Sequence, residues 1–258
     1  WPGNRICFVF VDGIGLAPTA PTNPFSGGTM DGLEKLIGRP ILAGLSARRA
    51  DCLARGIDAT MGVPGLPQSA TGQTALFTGV NAARLCEGHM PAFPGRTLTA
   101  VINQDNILKR AALAGIPVTF ANAYSQEYFA EIAGDSRAPS ATTLSVMAAG
   151  IPFRMLEDLV AGRAVYWDIT RAMVQTRTGR EDVPQTEPEE AARHLAEIAR
   201  DHGLVLYETF MTDMLGHKAQ VGEARDFLSV LDRFLTRLAE AVVADGGTLV
   251  ITSDHGNI

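Results

Sequence analysis

The sequence predicts an α/β fold: a three-layer sandwich with a mainly parallel central sheet and a smaller inserted cap. Three observations carry that prediction. The segments Ile6–Val11, 204–212 and Thr248–Thr252 are largely apolar and rich in β-formers, as strands buried on both faces are. A long amphipathic helix, with Phe227, Leu231, Phe234, Leu235, Leu238 and Val242 on one stripe, separates the last two. Finally, 258 residues suffice for one large α/β domain or a core domain with an insert.

Taken in order, the first strand ends in Asp12-Gly13-Ile14-Gly15, and residues 17–28, rich in Pro, Gly, Thr and Asn, read as a loop. The stretch to about residue 60 is expected to hold one helix and a short strand. Residues 62–68 are irregular by composition, and a helix over 69–83 opens on small polar residues that can cap it. A Pro/Gly-rich stretch from residue 84 leads into a helix ending near Gly115, and 118–121 reads as a strand. Residues 85–185 lack a clean βα rhythm, although 165–169 has strand composition. Part of this region is expected to be the inserted cap, with residues 1–84 and 186–258 forming the core. Pro188-Glu189-Glu190 is an acidic first turn for a helix stopped by Gly203. The long helix is stopped by Gly246-Gly247, before the final strand and Asp254-His255-Gly256-Asn257.

Composition narrows the function classes. Hydrophobic residues make up 46 % and charged residues 19 %, which argues against disordered and fibrous classes. The net charge of −6, from 22 basic and 28 acidic residues, argues against nucleic acid and anionic membrane as partners. Three distant cysteines, Cys7, Cys52 and Cys86, give no disulfide framework. No signal peptide or bilayer-length apolar run is visible, so a cytoplasmic location is expected. The chain begins at Trp1 rather than Met, and the native chain is expected to extend past one or both ends.

Three apolar strands each deliver metal-capable side chains: Asp12 after the first, Asp213 and His217 after the second, Asp254 and His255 after the third. Ligands in open α/β sheets bind outside the carboxyl ends of the strands, so these five can converge. Each alone has an ordinary reading as a turn or surface residue. The same placement on three strands favours a shared site. Carboxylates with imidazoles suit Zn²⁺ or Mn²⁺, and five protein ligands exceed one tetrahedral ion, which points to two ions. Pro67-Gln68-Ser69-Ala70-Thr71-Gly72 adds hydroxyls at a helix start, where amides and dipole favour an anion. On this segment alone, capping is the commoner job for Ser69 or Thr71.

The segment from Ser69 to Thr78-Gly79 resembles the nucleophile segment of the alkaline phosphatase superfamily, in which the nucleophile stands nine positions before the Thr of Thr-Gly. Asp213-Met-Leu-Gly-His217 resembles its Asp-x-x-Gly-His metal motif, and Ser-Asp254-His255-Gly-Asn257 its Asp-His-Gly motif. The trailing Asn is similar to the cofactor-independent phosphoglycerate mutase and phosphopentomutase branch, and Asp12 matches the first ligand. The four motifs run from residue 6 to the end and leave most of 85–185 unmatched.

The resemblance implies that Asp12, Ser69, Asp254 and His255 surround one divalent ion, and Asp213 with His217 the other. It implies Ser69 as nucleophile; on the mutase branch's alignment the nucleophile is Thr71. The expected activity is two-metal phosphoryl transfer on a small phosphorylated substrate, as phosphatase, phosphodiesterase or phosphomutase. The alternatives are a metal-binding homologue without turnover or a sulfuric-ester hydrolase, the latter disfavoured by Gln73 and Thr71 where sulfatases carry Arg and Pro. The superfamily's further His, after the Asp-His-Gly motif, falls outside these residues. Cys86 with His89 is read as chance spacing, His194 and His202 as helix residues, and Arg84 and Lys218 as surface charges.

Overall fold

The computed structural model describes residues 4–258; Trp1, on which the expectation about the chain's start rests, lies outside the described residues. The chain runs β1 (Ile6–Val11), α1 (Asp31–Ile37), a hairpin of β2 (Ser46–Arg48) and β3 (Leu53–Arg55), then α2 (Ser69–Thr78) and α3 (Ala82–Leu85). Next come α4 (Arg96–Gln104), α5 (Ile107–Leu113), β4 (Val118–Phe120), β5 (Ala123–Tyr124), α6 (Gln126–Ala133) and α7 (Ala141–Ala148). β6 (Arg154–Met155), α8 (Leu156–Val160) and α9 (Val174–Thr178) precede the closing series. That series is α10 (Pro188–Arg200), β7 (Leu204–Thr209), α11 (Met211–His217), α12 (Val221–Ala244) and β8 (Thr248–Thr252).

The central sheet has the order β4-β7-β1-β8, and all its pairings are parallel. Alternation along β1 divides the core in two. Cys7, Val9 and Val11 face a layer built from α10 and α12, with Leu195, Leu231, Phe234 and Leu238 fully buried there. Phe10 faces the other layer, where Phe77, Ile102, Leu108 and Val146 of α2, α4, α5 and α7 pack with Leu206 and Phe120. A mainly parallel sheet between two helical layers is the predicted architecture. β4 and its flanking helices come from the 85–185 stretch, which therefore contributes to the central layers. A separate apolar cluster joins Ala123, Leu156, Leu159, Ala164, Tyr166, Trp167, Val174 and Val183.

Four local expectations are corrected. The strand expected over 204–212 stops at Thr209, because the Asp12 N–H takes the Thr209 carbonyl and the Thr212 hydroxyl donates to the Asp12 carbonyl, turning the chain into α11. The single helix before Gly115 is two, since Asn106 breaks the run and caps α5 through the Lys109 N–H. Residues 165–169 form one isolated bridge, Asn122 to Val165, and Ile169 at φ 69° cannot continue a strand. The helix over 69–83 ends at Thr78, where Gly79 takes the left-handed conformation. Among the described residues no helix is long and apolar enough to cross a membrane.

Candidate metal centre

Asp12, Asp213, Asp254 and His255 gather at the carboxyl end of the sheet, around the tip of β1. Asp12 directly follows β1, and Asp254 and His255 follow β8 after one Ser. Asp213 comes from the first turn of α11 rather than a strand end. Gly13 permits this convergence: a Cβ there would lie 2.9 Å from Asp213 Cα, and its φ of 80° disfavours other residues. The Gly13 carbonyl also accepts from the Asn257 and Ile258 N–H groups at 2.8 and 3.1 Å, tying the loop after β8 to the loop after β1.

One ligand atom each from Asp12, Asp213 and His255 lies within 4.8 Å of the other two. His255 Nε2 stands 3.3 Å from Asp12 Oδ1 and 3.8 Å from oxygens of both Asp213 and Asp254. The carboxylates are aimed by amides: Gln73 Nε2 donates to Asp12 Oδ2 at 2.9 Å, and Asn257 Nδ2 to Asp213 Oδ1 at 2.9 Å. Asp254 Oδ1 accepts from the N–H groups of Gly13 and His255 at 3.4 and 3.0 Å. Asp12 Oδ1 and Asp254 Oδ2 are buried and accept no hydrogen bond. Buried carboxylate oxygens without donors fit a cation between them. The electrostatics agree. Burial and the charge of Asp12 push the Asp254 carboxyl well above the usual range. Burial disfavours a charged His255, yet its contact with Asp12 and the surrounding carboxylates outweigh that and raise the imidazole.

Ser69 and Thr71 part company here. Ser69 is the first residue of α2, and its Oγ lies 2.9 Å from His255 Nε2, so it does not cap the helix. Gln68 holds the cap position without a side-chain bond. Thr71 is fully buried; its hydroxyl donates to the Gln68 carbonyl at 3.1 Å and accepts from the Met90 N–H at 3.3 Å. His217 stands at the rim: its side chain is 69 % exposed, and Nε2 lies 3.4 Å from Asp213 Oδ2.

The other histidines serve locally. His89 Nε2 meets the Val63 carbonyl, His194 lies 3.2 Å from Glu190, and His202 Nδ1 meets the Ile198 carbonyl. The three cysteines are free thiols. Gln73 and Asn257, which steer two of the carboxylates, were not singled out as site residues from sequence. Their sequence signals are Gln73's place where sulfatases carry Arg and Asn257's place at the end of the Asp-His-Gly-Asn motif, and neither names a carboxylate partner.

A 56-residue stretch of the chain is 41 % identical to the 2,3-bisphosphoglycerate-independent phosphoglycerate mutase of Prochlorococcus marinus (strain MIT 9303), covering 22 % of this chain and 10 % of that protein. A 75-residue stretch is 33 % identical to the protein of the same name from Cereibacter sphaeroides (strain ATCC 17029 / ATH 2.4.9), covering 29 % and 15 %. The matched stretches are thus a small part of these relatives' lengths. The family model described as Metalloenzyme superfamily matches residues 4–258. On that match the chain belongs to the metalloenzyme superfamily.

Proposed function

We propose that this chain carries out metal-dependent phosphoryl transfer on a small phosphorylated substrate, with the Ser69 hydroxyl as nucleophile. The observation that carries the reading is the 2.9 Å approach of Ser69 Oγ to His255 Nε2 at the first turn of α2, beside Asp12 and Asp213. Asp12, Ser69, Asp254 and His255 would hold one divalent cation, Zn²⁺ or Mn²⁺, and Asp213 with His217 a second. Bound there, such ions supply Lewis-acid polarisation of phosphoryl oxygens and lower a hydroxyl's pKa.

The protein's own groups supply orientation. Without the cation, His255 Nε2 holds the Ser69 hydroxyl at the ligand cluster; Gln73 and Asn257 fix the carboxylates, and the first-turn amides of α2 would face an incoming phosphate. Thr71 spends its hydroxyl on backbone partners, which supports Ser69 over Thr71. Residues 1–84 and 186–258 supply the proposed ligands and nucleophile. A cap within 85–185 would decide whether water or a substrate hydroxyl accepts the phosphoryl group. The names of the partial relatives favour a phosphomutase.

Turnover of p-nitrophenyl phosphate and its diester, with added Mn²⁺ or Zn²⁺, tests the assignment. Ser69→Ala should lose about 10³-fold or more in kcat, as removal of a nucleophile does elsewhere, while Thr71→Ala keeps turnover. Equal activity of wild type and Ser69→Ala would sink the nucleophile assignment.

A further inference from the structure

Asp12 and Asp254 share their face of the sheet with a third acid. Glu208 pairs with Phe10 across β7 and β1, and Asp12 lies two residues beyond Phe10, so Glu208 and Asp12 project to the same side. Phe10 also pairs with Thr252, which places Asp254 in the same row. Glu208 is 6 % exposed, and among the described residues no ion pair includes it. Its backbone is held on both sides by one side chain: the Glu208 N–H donates to Asn122 Oδ1 at 2.9 Å, and Asn122 Nδ2 donates to the Glu208 carbonyl at 2.7 Å. Asn122 thereby continues the β4–β7 ladder after β4 has ended. The fully buried Thr142 hydroxyl lies beside the Glu208 carboxyl without closing a hydrogen bond of good geometry. Burial, with the like charges of Asp12 and Asp254, pushes this carboxyl up to about 8. Buried carboxylates are ordinarily compensated by a basic partner or a metal. Glu208 has no basic partner, and the row it joins ends in two carboxylate oxygens that also lack donors.

We propose that Glu208 is a positioning residue for the metal centre, its carboxylate adding to the negative field with which Asp12 and Asp254 hold a divalent cation. This rests on the reading of the site as a metal centre. Glu208 acts on those two residues through its charge, from the same face of the sheet, and not through a hydrogen bond to either.

The test is isothermal titration of the metal-stripped chain with MnCl₂ at pH 8.5, where the Glu208 carboxyl is ionised, alongside thermal unfolding without metal. Glu208→Gln should bind Mn²⁺ about 10- to 100-fold more weakly with no fall in metal-free Tm, and Glu208→Asp should retain most of the affinity. Equal affinity in Glu208→Gln and a tightly binding wild type overturns this proposal alone. So does an affinity loss matched by lost metal-free stability and not rescued by Glu208→Asp, because that marks a structural role. Wild type that takes up no Mn²⁺ overturns the metal-centre reading and this proposal with it. If Glu208→Gln fails to fold, Glu208→Met, which keeps the side chain's bulk without its charge, replaces it: a loss of about tenfold or more supports the proposal, and unchanged affinity overturns it.

Discussion

Replacing Gly72 with Ala separates local propensity from tertiary packing. Gly72 lies inside α2, one turn after Ser69, with helical backbone. Propensity alone predicts that Ala stabilises the helix by about 1 kcal/mol. The structure predicts the opposite sign. A Cβ at residue 72 would lie 2.8 Å from Asp254 Cβ and 3.0 Å from its carbonyl oxygen, so α2 and the loop after β8 must separate by roughly 0.5–1 Å to restore ordinary contact. Neither side yields easily: Phe77 of α2 packs edge-on against Phe10 at 5.8 Å, and the Gly13 N–H holds Asp254 Oδ1. Overpacking of this kind costs about 1–3 kcal/mol. With the propensity gain subtracted, the net loss is about 0–2 kcal/mol, or up to roughly 8 °C in Tm for a chain of this size. Turnover should suffer more, because the same separation pulls Ser69 away from His255, and a 1 Å misplacement can cost about 10²-fold. Gly222→Ala is the control, since Gly222 lies in α12 with nothing within 4 Å of the added methyl. Circular-dichroism melting and phosphatase assays on both variants check the argument. A Gly72→Ala protein with raised Tm and full turnover, behaving like Gly222→Ala, would refute it.

Three further outcomes are expected. Without metal, the raised Glu208 carboxyl keeps in the folded state a proton that the unfolded chain has already released, so stability falls as pH rises from the ordinary value near 4.5 to about 8; urea midpoints across that window should slope less in Glu208→Gln. Burial pushes the Cys7 thiol up to about 12, so iodoacetamide at pH 8 should modify Cys52 and Cys86 in the native protein and Cys7 only after unfolding, as read by mass spectrometry. Asn257→Ala frees the Asp213 carboxylate to rotate and should weaken Mn²⁺ binding by about tenfold or more in calorimetric titration.

How far the sequence reveals this molecule depends on the reach of each interaction. Ile6–Val11 is legible because a strand buried on both faces must be apolar along its whole length, and the stripe on α12 because a single face meets the core. The end of β7 is not legible. Phe210, Met211 and Thr212 all suit a strand, and what turns them into a helix is contact with Asp12, 200 residues away. Residues 165–169 mislead for a similar reason: Val165, Tyr166 and Ile169 are apolar because they cover other elements, not because they pair along their length. At the site, Asp12, Asp213, Asp254 and His255 stand out through their place after apolar runs. Gln73 and Asn257 do not, since an amide's role lies in its partner, here 61 and 44 residues distant. The opposite orientations of Ser69 and Thr71 follow from helix phase, which the sequence leaves open until the first residue of α2 is fixed.

The position of β1 between β7 and β8 has a consequence for biosynthesis. Its partners occupy residues 204–209 and 248–252, so the first strand emerges with neither hydrogen-bonding edge satisfied. At about 5–20 residues per second, roughly 10–40 s of translation separate Ile6–Val11 from its first neighbour. During that interval an apolar, β-prone hexapeptide stays available to chaperones or to another nascent chain. Because the proposed ligands Asp12 and Asp213, Asp254 and His255 lie on either side of that interval, cation uptake would report that this wait has ended correctly.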